Sequence, residues 1–299
     1  MRTAMRKRWP VYALLGAGAA LALLQASSRR RSRPHAGDIG ALHSRWWKAD
    51  GLSMHARVAT EAARPPPVVL VHGLGVSGAY FIPMAQQLAA DFTVYVPDLP
   101  GHGLSATPAL PPDIAGLARA LIAWMDCAGI ARASLVGHSM GCQVAVEAAL
   151  RHPGRIDRLV LIAPVCDPGA RSVLRQLGHL IRSSVHERLS LIPQVIKDYL
   201  RIGSRIVPEL RSMLAYPIEA KLPDIRIPTM LIRGEHDAVA PQAWIDDAAR
   251  LLGAARARVI PRWSHAVHYS AAAEVAEAMR PFLANGERAQ AARPARGSP

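Results

Sequence analysis

The stretch Ser134-Leu135-Val136-Gly137-His138-Ser139-Met140-Gly141-Cys142 joins a short apolar run to an apolar helix through the pattern Gly-x-Ser-x-Gly. A run of this kind is typical of a buried strand. Glycine two positions before and two positions after the serine allows a sharp turn, because no Cβ collides with the backbone there. The pattern therefore predicts a nucleophile elbow, with Ser139 as nucleophile and with Gly137 and Gly141 supporting the turn.

A serine nucleophile needs a general base, an acid that orients the base, and an oxyanion hole. Two later apolar runs, at 229–233 and 257–260, read as buried strands. Asp237 follows the first run and His265 lies in the loop after the second. Catalytic residues of parallel sheets lie beyond the carboxyl ends of strands. The sequence therefore predicts a catalytic triad of Ser139, Asp237 and His265.

The oxyanion hole is predicted from another strand and loop. The apolar run 68–71 ends in His72-Gly73-Leu74-Gly75, a loop that can turn a backbone N–H toward the site. In this arrangement the hole uses the N–H groups of Leu74 and Met140, the residue after the nucleophile. His72 and Gly73 are expected to support the loop, with His72 shaping the turn through a hydrogen bond.

A fourth phrase, VYVPDLPGHGLS at 94–105, adds a strand and a glycine-rich loop between the oxyanion loop and the elbow. With these four phrases the chain resembles the α/β-hydrolase superfamily, in its lipase, esterase and C–C hydrolase branch, from about residue 46 to residue 283. The resemblance implies a mostly parallel, doubly wound sheet with the Ser/His/Asp site at its carboxyl edge. Cys142 departs from the glycine that many relatives carry, which bears on helix packing more than on the chemistry.

The resemblance also helps to choose between candidates for the catalytic base and for the orienting acid. Relatives place the catalytic histidine at the start of the last loop, which favours His265 over His268 as the base. Some relatives supply the acid after the preceding strand, where this chain has Asp167, but Asp237 is preferred.

The predicted architecture is an α/β fold with an inserted helical cap. Asp50-Gly51 predicts a leading antiparallel hairpin. The predicted parts are a basic segment at 1–33, a hydrolase core at 43–165 and 228–283, a cap at 166–227 and a disordered tail at 284–299. Helices are expected at 79–89, 115–127, 140–152, 241–252 and 271–283.

The predicted cap has apolar residues at helical spacing, interleaved with arginines. Arg175 and Arg182, together with Trp263 from the core, are candidates for the substrate pocket. Arginines that point inward would favour a carboxylated diketone, the substrate type of a C–C hydrolase. The other interpretations are an ordinary solvated basic face and a face that rests near anionic lipid headgroups.

The N-terminal segment predicts a membrane anchor. Residues 1–33 hold eight Lys and Arg and no acid, and residues 9–28 are twenty uncharged residues. As a helix they span about 30 Å, the thickness of a bilayer core. A single retained anchor on an undetermined side of the membrane is expected. A signal peptide cleaved on export, or a start upstream of the true one, are the alternatives.

Composition argues against several other classes of protein. Of the net charge of +14, only about +4 lies between residues 34 and 283, and no nucleic-acid-binding motif is present, so no nucleic-acid partner is expected. No histidines show metal-ligand spacing, so neither a metal nor a cofactor is expected. Cys127, Cys142 and Cys166 lie in apolar surroundings, which predicts buried thiols.

Together these features predict a serine hydrolase that cleaves a small-molecule or lipid-like carboxylic ester through an acyl-enzyme. C–C bond hydrolysis, thioester hydrolysis and perhydrolysis use the same three residues and stay open. The alternative outside enzymology is an inactive interaction protein. Acyl length and oligomeric state do not follow from the sequence.

Overall fold

The computed structural model describes residues 37–62, 66–165, 167, 169, 171–253 and 255–284. The eight strands among these residues form one sheet, in the order β1-β2-β4-β3-β5-β6-β7-β8. β1 and β2 run antiparallel to their neighbours and the other strands are parallel, which confirms the predicted fold class. The strands are β1 His43–Ala49, β2 Leu52–Ala59, β3 Val68–Val71, β4 Val94–Pro97, β5 Ala133–His138, β6 Ile156–Ile162, β7 Thr229–Gly234 and β8 Arg256–Ile260.

Helices connect the parallel strands. Apolar side chains of these helices, such as Trp124 and Met279, are buried in one core with the strands. The α-helices are α1 Ile82–Leu88, α2 Ile114–Cys127, α3 Met140–Arg151, α4 Val173–Ser184, α5 Ile192–Ile202, α6 Ile206–Ala215, α7 Ile218–Lys221, α8 Gln242–Leu252, α9 Val267–Ser270 and α10 Ala272–Ala284.

The leading hairpin turns at Asp50 and Gly51, as predicted. Both residues have positive φ, 47° and 77°, which is the conformation that a two-residue turn between antiparallel strands requires. The turn pairs β1 along its whole length with residues Leu52 to Val58 of β2.

The strand order places the site. From β3 the chain moves to β4 on one side, and β5 then pairs with β3 on the other side. The loops after β3 and β5 therefore leave the sheet next to each other, at the point where the strand order reverses. In open α/β sheets this crevice is where ligands bind.

The cap consists of helices α4 to α7, which lie between β6 and β7. Its side chains reach the loops at the carboxyl edge of the sheet. Asp198 of α5 accepts hydrogen bonds from the backbone N–H and the hydroxyl of Ser77, at 2.9 and 2.8 Å. The cap is thus tied to the segment that follows the β3 loop.

Some predicted details are wrong. The expected helix at 79–89 is divided into a 3₁₀ turn at Gly78–Phe81 and helix α1, because Pro83 near the start of α1 favours a new first turn. Cys127 is exposed rather than buried, because it is the last residue of α2. Cys142 is buried as predicted.

The predicted N-terminal anchor, the tail beyond residue 284 and Cys166 lie outside the described residues. Within the part of the chain that the structure does describe, no helix has both the length and the apolar composition needed to span a bilayer.

Candidate active site

Ser139 occupies a strained turn between β5 and α3. Its backbone has φ 57° and ψ −122°, a conformation that a residue with a side chain rarely adopts. A Cβ on Gly137 would lie 2.5 Å from the carbonyl oxygen of Gly141, and a Cβ on Gly141 would lie 2.1 Å from that of Val71. Only glycine fits at these two positions, and the turn places the Ser139 hydroxyl at the carboxyl edge of the sheet.

Ser139, His265 and Asp237 form a continuous hydrogen-bonded chain. Nε2 of His265 lies 3.1 Å from Oγ of Ser139, and Nδ1 lies 3.0 Å from Oδ2 of Asp237. The other carboxylate oxygen, Oδ1, accepts the backbone N–H groups of Val239 and Ala240 at 2.8 and 3.1 Å. All three side chains are buried, which keeps the chain of hydrogen bonds away from bulk water.

The charges and hydrogen bonds around Asp237 and His265 favour an ionised Asp237. Burial raises the pKa of Asp237. The charge of His265 and three hydrogen bonds lower this pKa by more than burial raises it, so the pKa lies below its usual range. Burial lowers the pKa of His265, but Asp237 and the charge of Glu187 outweigh it, so that this pKa is raised. The site therefore stabilises a protonated His265 beside an ionised Asp237.

The two alternative residues lie elsewhere. Asp167 accepts the backbone N–H of Gly169 at 2.9 Å, and no hydrogen bond joins it to His265. His268 packs against the rings of Tyr80 and His138, and neither of its ring nitrogens has a hydrogen-bond partner among the described residues. Burial holds the pKa of His268 well below its usual value, so this ring is a neutral packing element.

The loop after β3 lies against Ser139. Nδ1 of His72 donates to the carbonyl of Gly73 at 2.9 Å, while Nε2 accepts the N–H of Leu99 at 2.9 Å. A Cβ on Gly73 would lie 3.0 Å from Cβ of Ser139. Met140 is the first residue of α3, where a backbone N–H has no acceptor within the helix. Among the described residues, neither its N–H nor that of Leu74 donates to a turn or loop carbonyl, so both are available to a ligand.

A sequence profile described as the alpha/beta hydrolase family matches residues 68–278. The chain belongs to the alpha/beta hydrolase family. A protein from Rhodobacter capsulatus named magnesium-chelatase 30 kDa subunit is 30% identical over 262 residues, covering 76% of this chain and 87% of that protein. A pimeloyl-[acyl-carrier protein] methyl ester esterase from Vibrio atlanticus is 29% identical over 231 residues, covering 67% and 88%.

Other matches of the hydrolase cover only part of the related protein or are limited to the fold. It spans 42% of the length of three uncharacterized mycobacterial proteins, to which it is 32% identical over 146 residues. The structure of a thermophilic esterase from Thermogutta terrifontis superposes with a TM-score of 0.70, covering 82% of this chain and all of that one. Its sequence identity is 21%, so the likeness is one of fold.

Tyr80 connects the oxyanion loop of the hydrolase to the loop that carries the histidine. Its hydroxyl accepts the N–H of Gly73 at 2.9 Å and donates to Nδ1 of His138 at 2.6 Å. Nε2 of His138 donates to the carbonyl of His265 at 2.9 Å. Burial lowers the pKa of His138 to about 3, so the ring is neutral and can make both bonds. Sequence reasoning missed Tyr80, because no local pattern pairs it with His138.

Replacing Tyr80 with phenylalanine is expected to lower kcat about tenfold. The change leaves the Gly73 N–H and His138 Nδ1 without their partner, and a buried unsatisfied polar group costs about 1–3 kcal/mol, so both loops lose part of their alignment. Steady-state ester hydrolysis measures the effect. Tyr269→Phe is the control, because that hydroxyl contacts only the exposed Ser190. Equal rates for the two variants would contradict the positioning role.

Glu187 of the cap holds the loop that carries His265. Its two carboxylate oxygens accept the N–H of Ala266 and the hydroxyl of Ser270, both at 2.6 Å. Burial raises the pKa of Glu187 to about 7, although these two hydrogen bonds oppose the shift. This carboxyl was not identified from the sequence, because it lies 79 residues from its partner Ala266 along the chain.

The raised pKa of Glu187 predicts a pH-dependent stability. The folded protein keeps a proton on this carboxyl up to about pH 7, whereas the unfolded chain loses it near its ordinary pKa of 4.5. The stability from this proton is present below pH 4.5 and is lost as the pH rises through 7.

Between pH 4.5 and pH 8 the wild type is expected to lose up to about 3 kcal/mol of unfolding free energy relative to Glu187→Gln. Urea unfolding at both pH values measures this difference. Glu277→Gln, at an exposed position, is the control. A difference between wild type and Glu187→Gln that does not change with pH would contradict the prediction.

The three candidate pocket residues are not part of the hydrogen-bonded chain of Ser139, His265 and Asp237. Arg175 and Arg182 are exposed, and the guanidinium of Arg175 bonds the carbonyl of Gly169. Trp263 is half-buried and has the guanidinium of Arg188 over its ring, 5.2 Å from the centre. Among the described residues, no hydrogen bond or ion pair joins either arginine to Ser139, His265 or Asp237.

Other side chains of the cap lie nearer the oxyanion loop of the hydrolase. A Cβ on Gly75 would lie 2.7 Å from Cε1 of Tyr199, so this ring covers the loop. Among the described residues, no group of three or more His, Cys, Asp or Glu side chains is arranged to hold a metal ion.

Proposed function

We propose that this alpha/beta hydrolase cleaves carboxylic esters, with Ser139 as nucleophile, His265 as general base and Asp237 as the orienting acid. The observation that carries the proposal is the hydrogen-bonded chain from Ser139 through His265 to Asp237 at the strained turn.

The proposed reaction follows from this geometry. Nε2 of His265 takes the proton of the Ser139 hydroxyl as Oγ attacks the ester carbonyl carbon. The N–H groups of Leu74 and Met140 stabilise the resulting oxyanion, each contributing about 3 kcal/mol. His265 then gives the proton to the leaving alcohol, and water hydrolyses the acyl-enzyme by the same steps.

The ester assignment has two supports. The Vibrio relative carries an ester hydrolase name, over 67% of this chain. The argument for C–C hydrolysis depended on arginines that point inward, and Arg175 and Arg182 are exposed. No observation favours thioester hydrolysis or perhydrolysis over ester hydrolysis.

A panel of p-nitrophenyl esters with graded acyl length tests the proposal. We expect turnover of at least one ester and labelling of the protein by a fluorophosphonate probe, because the probe reacts with an activated serine. A folded protein that neither hydrolyses any ester of the panel nor takes up the probe would overturn the proposal.

We also propose that residues 1–33 anchor the protein in a membrane. The support is the uncharged stretch at 9–28 between basic flanks. Flotation of the full chain with pure phosphatidylcholine vesicles, compared with that of a chain that starts at residue 34, tests it. Equal flotation of the two proteins would overturn the anchor.

A further inference from the structure

Helix α4 of the cap is packed with its polar side toward the protein. Its two buried side chains are Gln176 and Ser183, and the hydroxyl of Ser183 accepts the N–H of Ala238 at 3.0 Å. The large apolar side chains of the same helix point away from the protein. These five residues, here called the apolar face, are Val173, Leu174, Leu177, Leu180 and Ile181, with exposed fractions of 50, 82, 45, 42 and 43%.

This orientation is the reverse of that in an ordinary amphipathic helix, which buries its apolar stripe against the core. The apolar face spans positions i, i+1, i+4, i+7 and i+8, so its members are neighbours on one side of the helix. A contiguous exposed patch of large apolar residues indicates a binding surface.

The charges around the apolar face indicate what binds there. Arg175 and Arg182 are exposed on α4, and the helix contains no acidic residue. Residues 171–227 contain ten Lys and Arg against five Asp and Glu. No acidic side chain between residues 171 and 208 is exposed, because Glu187 is half-buried and Asp198 is buried. The partner of this surface should therefore be both apolar and anionic.

We propose that α4 docks on the surface of a bilayer that contains anionic lipids. The apolar face enters the boundary between headgroups and acyl chains, and Arg175 and Arg182 contact lipid phosphates. A second copy of the chain fits less well, because residues 171–208 hold seven Lys and Arg against two acids, neither of them exposed, so this region of two copies would repel.

Docking at α4 places the candidate active site next to the bilayer. Ser183, near the end of α4, bonds the residue after Asp237, and Glu187, just beyond the helix, bonds the residue after His265. The docked helix is therefore joined by hydrogen bonds to both loops that carry Asp237 and His265. The docking itself does not depend on the proposed reaction, so the two can fail separately.

A fluorophore on α4 tests the docking in a chain that starts at residue 34. This chain keeps all eight strands of the sheet and lacks the proposed anchor, so its binding to vesicles reports on α4. The background is Cys127→Ser with Cys166→Ser, which leaves the fully buried Cys142. An environment-sensitive nitrobenzoxadiazole label is attached to Leu174→Cys, and for the control to Leu110→Cys, a position with 81% exposure against 82% for Leu174. We expect phosphatidylglycerol-containing vesicles to shift the emission of the Leu174 label to the blue, with little change from pure phosphatidylcholine vesicles.

Several results are decisive. Substituting both Arg175 and Arg182 with glutamine should weaken vesicle binding about 30-fold. The emission of the Leu174 label measures this binding. No shift at Leu174, an equal shift at Leu110, or an equal response to neutral vesicles would overturn the proposal. A blue shift that grows with protein concentration without lipid would also overturn it and assign the face to a second copy. No readout needs enzymatic activity, so a failed ester assay leaves this test intact.

Discussion

Replacing Ser139 with alanine is expected to lower kcat for ester hydrolysis by about 10⁶-fold, the scale seen when a serine hydrolase loses its nucleophile. Without Oγ, His265 has no hydroxyl to activate, and no acyl-enzyme can form. The fold should be unaffected, because the loss is a single atom at a residue whose backbone is fixed by Gly137 and Gly141. Initial rates with the best p-nitrophenyl ester, and labelling by a fluorophosphonate, measure the effect.

Ser204→Ala is the control for this variant, because Ser204 is an exposed cap residue with no contact to the triad. It should keep wild-type rate and labelling. Labelling of Ser139→Ala at the wild-type level would show that another serine reacts, and the elbow assignment would then be wrong.

Replacing Asp237 with asparagine is expected to lower kcat by about 10⁴-fold, as the corresponding change does in a well-studied serine protease. The amide oxygen can still accept the N–H groups of Val239 and Ala240, which Oδ1 of Asp237 accepts now. The amide NH₂ then faces Nδ1 of His265 and donates to it, which places the ring proton on Nε2. In that tautomer His265 cannot take the Ser139 proton.

Asp167→Asn is the matched control, because Asp167 follows the preceding strand and, among the described residues, accepts its one hydrogen bond from Gly169 in its own loop. It should keep nearly all of the activity. Steady-state kinetics on both variants decide the assignment. A crippled Asp167 variant beside a nearly normal Asp237 variant would reverse it, and similar modest losses would make the acid a shared pair.

The sequence was sufficient for the main features of the site because its parts follow a topological rule. Parallel strands bring their carboxyl ends to one edge, so residues in the loops after strands β5, β7 and β8 are expected near one another. The glycines around Ser139 are also predictable from the local sequence, since a Cβ at either position would collide with nearby backbone atoms. The hairpin is likewise predictable from neighbouring residues, because Asp50 and Gly51 adopt the positive φ that the turn requires.

The contacts that hold the site in place could not be predicted in this way. Tyr80 and His138 are 58 residues apart, and Glu187 and Ala266 are 79 residues apart. Their pairing depends on how the cap and loops pack, and no periodicity records it. The orientation of α4 is a related case. Helical spacing predicts an apolar side on α4, and such a side usually faces the core. In the structure, the polar residues Gln176 and Ser183 are buried instead.

The two hydrogen bonds at the end of α4 set a condition for redesigning this protein. Ser183 and Glu187 bond the residues that directly follow Asp237 and His265, so two loops of the core depend on a stretch of five residues in the cap. A chimera that receives a foreign cap to accept new substrates should therefore keep 183–187 from this chain. Exchange points placed after Glu187 retain both bonds, whereas points placed before Ser183 remove them together.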